Sequence, residues 1–197
     1  MAELDLSLAA PLTPTPPAWL AAVQADFPSF LQDHASCEKK ASGMALNVAS
    51  HYPDQPRLLS AMADLAVEEL SHYREVIRLL LLKGINPGAD QKDPYIHALN
   101  AQIRRGSAQF LLDRLLIGAV VERRGAERFA LLAKHLEDQE LRSFYRAIAK
   151  SEERHWHLFV ELSLQHCDTD AVWPRFNELT EAEGELMQSL PARAALH

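Results

Sequence analysis

The chain has 197 residues, 48% hydrophobic and 24% charged, the balance of one globular domain and not of a disordered tail. Apolar runs such as "LLLL" at 79–82 are too short to span a bilayer, and the acidic start "MAELDLSLAAPLTPTPPAW" is no secretory signal, so a cytoplasmic protein without membrane contact is expected. Two cysteines without a C-x-x-C pair exclude a disulfide framework or zinc knuckle, and a net charge of −7 argues against coating nucleic acid, although one face can still be basic.

Glycine is scarce, most prolines fall outside the periodic segments, and no run alternates as a strand would, so the chain reads as all-α. Residues 1–16 form an irregular, Pro-rich leader, and "AWLAAVQADF" suggests a short helix after it. Pro28 suits the first turn of a helix running to about His51, which "HYPDQP" ends. The next helix runs from about Pro56 to Lys83, where "KGINPGAD" supplies the Gly-then-Pro punctuation of a helix end. Residues 94–104 hold a short helix or turn. Two further long helices run from about Ser107 to His135 and from about Asp138 to His166. The tail over 170–190 adds one more, expected to break near Trp173-Pro174 and to weaken at Gly184. Four long helices, with short links within each pair and a long connection at 84–106, describe a single domain over 1–197. Its expected layout is a ferritin-like four-helix bundle with one crossover and extra short helices at the termini.

Polar residues interrupt the apolar stripes at matched places. In "AVEELSHYREV" Glu69 and His72 are three apart, as are Glu152 and His155 in "AKSEERHWHLF". On a helix this spacing puts both side chains on one face, within reach of a single metal. The other two long helices each offer one acid among small residues, Glu38 and Glu122, which precede Glu69 and Glu152 by 31 and 30 residues. A Glu from each of two helices plus a Glu-x-x-His from each of the other two is the ligand set of dinuclear carboxylate bundles. Four carboxylates neutralise two divalent ions, and oxygen and imidazole donors suit two iron ions, with manganese as a substitute.

Ala41, Ser42 and Ala45 crowd Glu38, and Gly118, Ala119, Gly125 and Ala126 crowd Glu122. They serve either tight helix packing or a cavity for O2 and an organic substrate. Arginines concentrate in the second half: Arg104, Arg105, Arg114, Arg123, Arg124, Arg128, Arg142, Arg146 and Arg154. They form either a solvated face paired to Glu or a phosphate-binding surface, for which Arg104, Arg105, Arg123 and Arg124 are the candidates.

The pieces "CEKKASGMALNVASHYPD", "LAVEELSHYREV", "LLIGAVVERRGAERFALLA" and "FYRAIAKSEERHWHLF" resemble the bacterial tRNA hydroxylases that act on 2-methylthio-N6-isopentenyladenosine. The likeness covers roughly residues 15–190, and the family's iron ligands carry over onto Glu38, Glu69, His72, Glu122, Glu152 and His155. The resemblance implies a di-iron monooxygenase that hydroxylates an allylic methyl of the isopentenyl group on adenosine 37. It also implies the tRNA anticodon stem–loop as partner, with O2 and two external electrons consumed. No flavin or iron–sulfur motif appears in the chain, so a separate reductase is expected. Two rivals keep the same ligands without an organic substrate: ferritin-like iron oxidation or storage, and peroxide detoxification. A metal-free helical adaptor with solvated Glu and His is the third.

Overall fold

Capping residues and first-turn prolines set several of the helix starts. The computed structural model describes residues 4–197, so the first three residues of the expected leader lie outside the described residues. After a 3-10 turn at Leu6–Leu8 come α1 (Pro17–Ala25), α2 (Phe27–His51), α3 (Pro56–Leu82), α4 (Pro94–Asn100), α5 (Ser107–His135), α6 (Gln139–His166) and α7 (Thr169–Ser189). Every regular element among the described residues is helical, as expected. Asp26 accepts a hydrogen bond from the Ser29 amide at 3.1 Å and Pro28 sits in the first turn of α2. Asp138 opens α6 by accepting from the amides of Glu140 and Leu141. At the end of α3, Gly84 takes a positive φ of 69°, and the Ile85 amide reaches back to the Leu80 carbonyl at 2.9 Å. That left-handed turn satisfies carbonyls the helix end would otherwise leave open.

The described residues form two compact units. One comprises Ala21–Gln91 with Ala192–Leu196, and its frame is the α2–α3 pair. Phe30, Leu31, Ala45 and Val48 on α2, and Leu58, Met62, Leu65, Val76 and Leu80 on α3, are buried and fall at spacings close to whole helical turns, so each set lines one side of its helix. The segment after α3 is strapped back onto α2: Gln32 donates to the Asn86 carbonyl, Lys39 and Ser36 to Asp90, and Lys40 to the Gln91 carbonyl.

The other unit comprises the chain up to Leu20, Lys92–Pro191 and His197, with α5 and α6 as its main pair, α7 packed on both, and α4 against α5 and α7. Here one expectation fails: α7 does not break at Trp173-Pro174 but continues through Pro174. Pro174 is exposed, whereas Val172, Phe176 and Leu179 are fully buried. Burial of about 1.5–3 kcal/mol for each such side chain outweighs the roughly 3 kcal/mol cost of an interior proline. The helix also runs on through Gly184. A Cβ there would run into the Thr13 side chain, so glycine lets the leader lie directly against α7. Among the described residues no helix is long and apolar enough to cross a membrane.

Candidate metal centre

In the α2–α3 unit, Glu38 comes from α2 while Glu69 and His72 project from one face of α3. All three are well shielded, with side-chain exposures of 4%, 1% and 13%. His72 Nδ1 lies 3.5 Å from Glu38 Oε2 and 3.3 Å from Glu69 Oε2, and one donor atom from each residue falls within 4.8 Å of the others. The geometry alters both titrations. Burial pushes the Glu38 carboxyl up, but hydrogen bonds from His34 and His72 outweigh it and hold the group well below the usual carboxylate range. Burial likewise opposes charge on His72, yet hydrogen bonds to Glu38 and Glu69 raise it to about 9.

The α5–α6 unit repeats the arrangement. Glu122 comes from α5, and Glu152 and His155 project from one face of α6; all three are buried. His155 Nδ1 lies 3.7 Å from Glu122 Oε2 and 3.8 Å from Glu152 Oε2, again with donor atoms within 4.8 Å of one another. Each unit therefore brings together two carboxylates and one imidazole. The donor set fits a divalent ion: two carboxylates balance its charge, imidazole completes an oxygen–nitrogen environment that suits iron or manganese, and no thiolate takes part.

His34 escaped the sequence reading. Its buried ring sits one turn before Glu38, with Nε2 2.6 Å from Oε1. The bond ties down one carboxylate oxygen while the other faces His72. The sequence signal of His34 is an H-x-x-x-E spacing on α2, distinct from the Glu-x-x-His pattern of the ligands. Among the small residues, Gly118 answers to packing: a Cβ there would come within 3.0 Å of the Phe159 ring, so α5 and α6 approach closely at that point.

The expected phosphate contacts need correction. Arg124 is fully buried, and its guanidinium donates to both Glu183 oxygens at 2.8 Å and to Thr15 and Glu127, so it ties α7 and the leader to α5 and reaches no surface. Arg104 is clamped on Asp113 by contacts of 2.7 and 2.9 Å, beside Arg175. Burial pushes the Asp113 carboxyl up, but these two arginines outweigh it and lower it. Arg105 is exposed. Arg123 donates to the Ala10 carbonyl and lies over the Trp156 and Phe176 rings, half-buried.

The model of one protein family, tRNA-(MS[2]IO[6]A)-hydroxylase (MiaE), matches residues 6–197. The chain belongs to the MiaE family. It is 35% identical over 195 residues to the tRNA 2-(methylsulfanyl)-N(6)-isopentenyladenosine(37) hydroxylase of Pseudomonas putida, covering 99% of this chain and 93% of that one. It is 27% identical to the Salmonella typhimurium protein of the same name, over 89% and 83% of the two chains. Among solved structures it resembles "Protein 43 with aldehyde deformylating oxygenase activity" from Synechococcus, with a TM-score of 0.89, 34% identity and 94% of each chain covered. The MiaE-family chain thus has the all-α, ferritin-like fold expected from its helix order.

Proposed function

We propose that this chain hydroxylates the isopentenyl group of 2-methylthio-N6-isopentenyladenosine at position 37 of tRNA, in the cytoplasm, using O2 and electrons from a separate reductase. Residues 1–197 act as one metal-binding domain. Glu38, Glu69 and His72 hold one iron ion, and Glu122, Glu152 and His155 hold the other; manganese can substitute. The observation that carries this reading is the same buried Glu plus Glu-x-x-His set occurring once in each unit of a MiaE-family chain. When bound, a pair of ferrous ions supplies the electrons for O2 reduction. One oxygen atom enters an allylic C–H bond, and the other leaves as water with two electrons and two protons from outside.

The protein's share is electrostatic and steric. Four carboxylates set the charge that two divalent ions balance, and His34 fixes one oxygen of Glu38. Burial of the carboxylates keeps water from competing for them. The deciding experiment compares tRNA nucleosides from cells with and without the gene. Loss of the hydroxylated nucleoside and accumulation of its unhydroxylated precursor are expected. Unchanged nucleosides overturn the reading and favour iron oxidation or peroxide removal instead.

A second reading rests on the Synechococcus protein, which is named for aldehyde deformylating oxygenase activity and has nearly the same identity. Supplying the iron-loaded protein and a reductant with an aldehyde and with precursor tRNA in parallel separates the two.

A further inference from the structure

A groove of about 660 Å³ runs between α5 and α6, and its chemistry differs from the rest of this acidic chain. Its floor is alanine: Ala126, Ala130 and Ala133 from α5 and Ala149 from α6. Five cations line it, Arg123 and Lys134 from α5 and Arg142, Arg146 and Lys150 from α6, against two carboxylates, Glu127 and Glu153. Glu127 is already committed to Thr15 and Arg124.

Several arginines elsewhere are paired: Arg104 and Arg175 with Asp113, Arg124 with Glu183, Arg78 with Glu75. In the groove, the side chains of Lys134, Arg142, Arg146 and Lys150 have no ion pair or hydrogen bond among the described residues, and Arg142 Nε is shielded from solvent without an acceptor. Arg142, Arg146 and Lys150 also follow one another at intervals of four along α6. Like charges at that spacing repel along a helix and destabilise it. The fold tolerates this ladder without neutralising it.

The rungs rise by about 6 Å each, a step comparable to that between successive phosphates of a nucleic-acid strand. Small floor residues allow a backbone to approach closely. No aromatic side chain lines the groove, so it lacks the stacking platform that single-stranded bases require. Its chemistry suits the phosphates of a paired stem, which position an RNA without reading its bases.

We propose that the α5–α6 groove is the docking track for the phosphate backbone of an RNA stem, with Arg142, Arg146 and Lys150 as one bank and Lys134 as the other. The choice of RNA as partner rests on the tRNA reading above. The test measures binding of a synthetic anticodon stem–loop hairpin to the full-length, iron-loaded protein across a salt series. The protein is compared with an Arg142→Gln/Arg146→Gln/Lys150→Gln variant and an Arg104→Gln/Arg105→Gln variant.

The groove variant is expected to bind at least tenfold more weakly and to lose about one unit of log–log salt slope per residue removed, while iron content and melting temperature stay unchanged. The single changes Arg146→Gln and Lys150→Gln, both at exposed positions, give the same reading should the triple variant misfold. An unchanged salt slope in the folded variants overturns the groove. So does wild-type protein that binds vesicles of anionic lipid but not the hairpin. A groove variant with lowered slope, in a protein whose deletion leaves tRNA nucleosides unaltered, keeps the groove and removes the hydroxylase reading; the reverse pattern does the opposite.

Discussion

Glu38 and Glu122 hold equivalent places in their helix pairs, but the residue one turn before each differs: His34 on α2, Gly118 on α5. In the α2–α3 unit that place carries a buried imidazole hydrogen-bonded to the carboxylate at 2.6 Å. In the α5–α6 unit it carries no side chain, and the Phe159 ring fills the space. A repeated ligand pattern therefore sits in two different supports. One half places a charge-assisted hydrogen bond at that position, and the other a close helix approach. Removing a neighbour that orients a ligand typically costs about 10–100-fold in metal affinity.

The largest effect that bears on this contrast is loss of a ligand. Replacing Glu38 or Glu122 with Ala should abolish hydroxylation, and metal analysis should show iron lost with it; a turnover-competent, iron-poor variant would break the equivalence of the halves. Next is the ion pair that closes the α5–α6–α7 unit. Glu183→Ala removes the fully buried carboxylate from Arg124, leaving it only Glu127 and Thr15, and should destabilise by about 3 kcal/mol in denaturant unfolding. His34 comes third. His34→Leu should weaken iron binding in the α2–α3 half by about 10–100-fold, with partial rescue by His34→Gln, as read by iron titration; equal weakening in both variants would reduce His34 to packing. The smallest is Gly118→Ala, which crowds Phe159 and should cost about 1–3 kcal/mol with little change in iron affinity.

Much of the fold was legible because its signals are local. Pro28, Gly84 and Asp138 mark helix ends through backbone chemistry that acts within one turn. The six candidate ligands were legible because i,i+3 spacing and a repeated interval need no knowledge of packing. Pro174 misled because its cost is local whereas the burial that overrides it is not. Arg124 misled more thoroughly: in "ERRGAER" nothing marks which arginine turns inward. His34 was in plain view, but an imidazole four residues from a glutamate is too common to single out.

By itself the sequence determined the all-helical class, the helix order and a doubled Glu and Glu-x-x-His pattern, because periodicity and capping are written in neighbouring residues. Only the tertiary structure decided that Arg124 pairs with Glu183 while Arg142, Arg146 and Lys150 face a groove unpaired, and that His34 holds Glu38. Partners such as Arg124 and Glu183 lie 59 residues apart. Whether a charge is buried and matched or exposed and waiting depends on which distant side chains the fold brings beside it.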